Sequence, residues 1–195
     1  MNVDKIDEAN ELRQAEDLVQ ATADIVRQES GAGLLIQAAE ICHRLDGQNN
    51  RPPQAVEFGS LLKKTMDENE DIRELVAGDG SLYYFSTRFM TGAYATVLLK
   101  KRGDPLRLIA DIVRQNAADY LRPVPLDLFM QSPFDFAHRD ILKMLEQMET
   151  LEAFIDIART TTSASREFLY STHFLEPAHA SMMAEWIDVG QLENP

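Results

Sequence analysis

The chain has a single cysteine, Cys42, in 195 residues. One thiol excludes an intramolecular disulfide and a thiolate zinc site. Lying on an apolar stripe, Cys42 reads as a packed core residue rather than a reactive thiol. No apolar run approaches the roughly 20 residues a membrane-spanning helix needs, and the opening Met1-Asn2-Val3-Asp4-Lys5 lacks the apolar segment of a signal peptide. A cytoplasmic location with no membrane partner is the default expectation. Positive charge is also scarce: 19 Lys and Arg against 32 Asp and Glu leave a net charge of -13. Such a field repels phosphate backbones and acidic membranes and attracts basic segments. No Gly-rich phosphate loop, HExxH or GxSxG is present, so no nucleophile, base or cofactor loop is supplied. A non-enzymatic protein without a cofactor is expected.

What is present is a repeat. Ala23-Asp24-Ile25-Val26-Arg27-Gln28 returns letter for letter as Ala110-Asp111-Ile112-Val113-Arg114-Gln115. Tyr84-Phe85-Ser86-Thr87-Arg88-Phe89-Met90 is answered by Leu169-Tyr170-Ser171-Thr172-His173-Phe174-Leu175, and Leu61-Leu62-Lys63 by Ile141-Leu142-Lys143. Anchors recurring in one order at about 85 residues indicate two copies of one unit. With 45% hydrophobic and 26% charged residues the chain is a folded protein. Each half is small for burying a core alone, which favours packing on the other half or on a second subunit.

Apolar residues at three- to four-residue steps predict a helix from about Asn2 to Gln28, roughly 40 Å long at 1.5 Å per residue. Ser30-Gly31-Ala32-Gly33 ends it. Leu34, Leu35, Ala38, Ile41, Cys42 and Leu45 predict a second helix, and Val56, Phe58, Leu61, Leu62 and Met66 a third over about 54–69. The period then changes to two: Ile72–Val76 and Leu82–Thr87 read as strands around a glycine-bearing turn. Thr91–Lys101 returns to helix, and Asp104-Pro105 supplies an N-cap and a first-turn proline for the next unit. There Leu106–Tyr120 is predicted helical, Arg122–Pro125 extended, Leu126–Met130 a helical turn and Phe136–Glu149 the third helix. Phe154–Arg159 and Phe168–Ser171 predict a second hairpin. Ala178–Val189 is the closing helix, with Met182, Met183 and Trp186 on its apolar stripe.

Three helices, a two-stranded wing and a closing helix, twice over, resemble the winged-helix superfamily, a helix-turn-helix architecture, across about residues 16–101 and 105–190. The implied class is mainly α with small β-hairpins (α+β). Residues 1–103 are an N-terminal arm plus the first winged helix, and 104–195 the second. Tandem winged helices on a short acidic chain are similar to the kleisin-binding subunits of bacterial condensin complexes. That resemblance implies a protein-binding assembly module.

The superfamily's commonest use is DNA binding through the third helix, which needs basic residues to neutralise phosphates. The third helices carry net charges of -2 over 54–70 and -3 over 134–152. Nucleic acid is therefore disfavoured; a transcriptional regulator would have to rely on Lys63, Lys64, Arg139, Lys143, Arg159 and Arg166. Lys100, Lys101, Arg102 and Arg107 read as cations at a helix end. His173, Glu176 and His179 lack a recognised metal-ligand spacing, and His43, His138 and Asp140 have no catalytic partner in sequence. Alternation places Tyr83 and Phe85 on a core face and leaves Tyr84 as an exposed contact. The arm, with Val3, Ile6 and Leu12 on its stripe, has no intramolecular place for that stripe. The arm is expected to pack across a two-fold axis, giving a homodimer, with packing along the second unit's closing helix near Met182 and Trp186 as the alternative.

Overall fold

The computed structural model describes residues 3–47 and 55–190, with side chains over 13–47 and 58–190. The chain forms two compact units, 1–99 and 100–195. The first contains α1 (Val3–Gly31), β1 (Ile36–Gln37), α2 (Ala38–Gly47), α3 (Ala55–Glu68), β2 (Ile72–Val76), β3 (Leu82–Ser86) and α4 (Gly92–Gly103), the last running across the boundary. The second contains α5 (Pro105–Tyr120), β4 (Val124–Pro125), a 3-10 turn (Leu126–Met130), α6 (His138–Thr150), a second 3-10 turn (Glu152–Phe154), β5 (Ile157–Thr161), β6 (Glu167–Ser171), α7 (Pro177–Glu185) and a π-helical turn (Trp186–Gly190). This is an α+β fold, mainly helical, with two small antiparallel sheets.

The sheets share one topology, β1-β3-β2 and β4-β6-β5. In each, the second strand of the hairpin is central and a two-residue strand pairs on its far side, Ile36 opposite Tyr84 and Val124 opposite Leu169. The short β1 replaces the start of the helix predicted from Leu34. Gly33, at φ +76, turns the chain after α1, and Leu35 and Ile36 then bury on opposite faces of the sheet, as only an extended backbone allows. The hairpin turns also correspond: Gly80 has φ +83, and Ser165, its counterpart, adopts φ 64 without a glycine.

In the first unit Val19, Ala23 and Val26 of α1, Ile41 and Leu45 of α2, and Phe58, Leu61 and Leu62 of α3 pack against the Ile36, Ile72 and Tyr84 face. Tyr83 and Phe85 face the other way, onto Leu35, Met90 and Ala95. Both faces of β3 are therefore covered, and Tyr84 is not an exposed contact: it is 2% exposed. Alternation distinguishes core from solvent only where one face is wet, and here helices lie on both. The Tyr84 hydroxyl donates to Glu74 Oε2 at 2.7 Å, and burial together with that bond pushes the phenol well above its ordinary range. Tyr84→Phe is expected to cost about 1 kcal/mol, the net worth of one hydrogen bond. A shifted urea midpoint at unchanged slope checks this, and no shift removes any role for the bond.

α7 also departs from expectation. Its buried residues are Ala180 and Ala184, whereas Met182 and Trp186 are 59% and 56% exposed. The small alanines face inward, Met183 is half-buried, and Met182 and Trp186 face water. Within the second unit, Asp104 caps α5 by accepting from the Arg107 amide at 2.9 Å, with Pro105 in the first turn. Among the described residues no helix is long and apolar enough to cross a membrane.

Candidate functional site

The repeated sequence segments meet in space. In the first unit Arg27, from the duplicated hexapeptide on α1, makes a two-pronged bond to Asp71, with Nε at 3.0 Å from Oδ2 and Nη2 at 2.7 Å from Oδ1. Ser86 Oγ donates to Asp71 Oδ2 at 2.7 Å, and the Thr87 amide donates to the Asp71 carbonyl at 2.7 Å. Arg88 closes the group, Nε at 3.2 Å from Oδ2. In the second unit Arg114 Nε donates to Asp156 Oδ2 at 3.0 Å and Nη2 to Oδ1. Ser171 Oγ donates to Asp156 Oδ2 at 2.6 Å and the Thr172 amide to the Asp156 carbonyl at 2.8 Å. His173 takes the place of Arg88, Nδ1 at 3.6 Å. Each clasp ties the long first helix to both strands of its hairpin.

Both aspartates are buried, a position that stays ionised only with strong partners. The Arg114 hydrogen bonds, aided by Ser171, outweigh desolvation and hold Asp156 at about 2. Arg27 and then Ser86 hold Asp71 well below the usual carboxylate range. Sequence reasoning missed both aspartates. A signal was available, because Asp71-Ile72 and Asp156-Ile157 stand at the same offset as Ser86-Thr87 and Ser171-Thr172.

Ser171, His173 and Asp156 bring a hydroxyl, an imidazole and a carboxylate together, but the order is wrong for activating a nucleophile. Asp156 lies between the other two, and buried Ser171 Oγ gives its proton to the carboxylate rather than to a histidine. Among the described residues no group of three or more His, Cys, Asp or Glu is placed to hold a metal ion. His173 faces its aspartate, while Glu176 stands immediately before α7 without capping it.

The candidate DNA-contacting cations are largely paired. Lys64 lies 3.6 Å from Glu68, Arg139 3.7 Å from Asp140 and Arg159 2.9 Å from Glu149. Arg166 reaches Asp127 at 2.8 Å and Asp188 at 3.4 Å, pinning the second hairpin to the C-terminal π-helical turn. Lys63 and Lys143 remain exposed on their helices. Lys100 bonds Asp111 at 3.1 Å, and Lys101 sits over the Phe136 ring at 5.2 Å. Met182 and Trp186 stand in solvent one helical turn apart. Val3, Ile6 and Leu12 have side chains outside the described set; within it, the buried residues of α1 begin at Val19.

The second unit coincides with a family match: residues 101–192 fit the model described as the YdhW C-terminal domain. No solved structure matches the chain. The YdhW protein of Escherichia coli strain K12 is 30% identical over 178 residues, covering 89% of this chain and 79% of that relative. A likeness of that extent, spanning both units and both clasps, shows that the chain belongs to the YdhW family.

Proposed function

We propose that the two units are tandem winged helices and that the protein is a non-enzymatic assembly module, binding a basic or amphipathic segment of another protein. The shared element order and sheet topology support the winged-helix assignment. The observation that carries the binding reading is the pairing of Lys64, Arg139, Arg159 and Arg166 with neighbouring acids. A cation already neutralised releases few counterions from DNA and adds little affinity. Exposed Trp186, Met182, Phe174 and Ile155 offer apolar anchors instead. The similarity to kleisin-binding subunits belongs to the same proposal. So does a homodimer through the N-terminal arm, since none of the residues 13–17 before Leu18 is buried within the chain.

Affinity capture with the full chain, followed by mass spectrometry, is expected to recover a stoichiometric protein partner with a basic segment. A mobility-shift assay at about 50 mM salt, where phosphate contacts are strong, is expected to show no duplex binding. Duplex binding that weakens steeply with salt, without a protein partner, replaces this reading with a DNA-binding regulator. Light scattering on the same sample tests the dimer, and a monomer mass removes it.

A further inference from the structure

The clasps match inside and differ outside. Immediately before the clasp aspartate the first unit has Asn69-Glu70, where the second has Phe154-Ile155. Asn69 Oδ1 accepts from Arg27 Nη2 at 2.8 Å, and Glu68, Asn69, Glu70, Thr87 and Arg88 line an open polar recess. In the second unit the same arm of Arg114 turns to the Ala153 carbonyl at 2.6 Å, with its guanidinium over the Phe154 ring. The repeat offset grows from 80 at the third helix to 85 at the aspartate. The added residues build the 3-10 turn at Glu152–Phe154.

Apolar surface flanks that turn. Ile155 is 72% exposed, the highest value among the described large hydrophobics, and Leu151 is 44% exposed. Phe174, at 48%, lies beyond His173, whose imidazole faces Asp156. The fold does not require an isoleucine here, because the first unit carries Glu70 at the equivalent place on an equivalent clasp. Acids lie close to the turn in the chain: Glu149 is paired with Arg159, while Glu146 on α6 and Glu152 in the turn itself form no ion pair among the described residues. An apolar knob with an unpaired acid in its own turn complements an apolar side chain flanked by Lys or Arg. It does not suit a second copy of a chain with a net charge of -13.

Resting on the protein-binding reading above, we propose that the Leu151–Ile155 turn, with Phe174 beside it, is the docking point for a basic amphipathic segment of another protein. The matching position of the first unit is not.

The test uses an 18-residue amphipathic helical peptide of leucine and lysine, titrated into the isotope-labelled full chain and followed by NMR. Amide shifts are expected at 151–155 and 172–174, and Ile155→Glu is expected to weaken binding at least tenfold. That sign is discriminating, because a purely electrostatic association would be tightened or unchanged by an added acid. Since Ile155 is exposed, the variant is expected to melt with the wild type, and Leu151→Glu repeats the test if it does not. Shifts centred on Met182 and Trp186 and insensitive to Ile155→Glu overturn this placement, while partner capture by the wild type would still uphold the protein-binding reading. Failure of the peptide to shift any amide at millimolar concentration overturns the proposal. A drop in particle mass caused by Ile155→Glu assigns the turn to a second copy and overturns it too.

Discussion

Asp156→Ala is expected to destabilise the protein by about 3 kcal/mol, at the low end of the range for breaking a buried ion pair by removing one partner. Asp156 is 2% exposed and gathers both prongs of Arg114 and the hydroxyl of Ser171, while its carbonyl receives the Thr172 amide. Truncation leaves the guanidinium without its counter-charge and the Ser171 hydroxyl without its acceptor. The low end applies because the Arg114 side chain is partly open to water and keeps its bond to the Ala153 carbonyl. Asp156→Asn, which retains an acceptor but no charge, is expected to cost about half as much. Ser171→Ala, which removes one donor, is expected to cost about 1 kcal/mol. Urea unfolding of the three variants measures this ranking. Equal, near-zero losses would mean that the hexapeptide and the hairpin are held together by packing alone.

Acid should unfold the chain through the two clasp aspartates, Asp71 and Asp156. A carboxylate whose folded pKa is depressed contributes stability that is complete above its unfolded pKa and is lost as pH falls through the folded one. Asp156 is held at about 2 against an ordinary 3.8, which at 1.36 kcal/mol per pH unit is on the order of 2 kcal/mol. Asp71 adds a contribution of the same sign through Arg27. The Asp156 loss is therefore expected between about pH 4 and pH 2 and the Asp71 loss continues to lower pH, with no dependence on these groups from pH 5 upward. Thermal melts of the wild type and of an Asp71→Asn, Asp156→Asn double variant separate this from general charge effects. The wild type should lose much of its advantage over the variant across that window. A constant gap from pH 7 to pH 2 would show that neither aspartate titrates with a depressed pKa.

These expectations rest on residues whose roles were unevenly visible in the chain. The change of hydrophobic period from three-to-four to two located α3, β2 and β3, and the proline spacing located β4 and the turn after it, because those signals act within a few residues. The doubled hexapeptide and the doubled Ser-Thr pair announced two related units, since duplicated contacts preserve both of their ends. Their meaning was not legible. Arg27 and Asp71 are 44 positions apart, and no local pattern says which of many acids a given arginine meets. β1 and Tyr84 were misread for a related reason: whether a strand face is wet depends on what packs over it, and α4 covers the second face of β3 from a later part of the chain. The amino-acid sequence by itself determined the helical periods, the hairpins, the acidic balance and the repeat, all of which follow from short-range sterics and composition. Only the tertiary structure decided which aspartates close the clasps, that Met182 and Trp186 face outward, and that Ile155 stands exposed where the first unit has a glutamate. Burial and ion pairing are properties of neighbours in space, and the chain brings those neighbours together from distant positions.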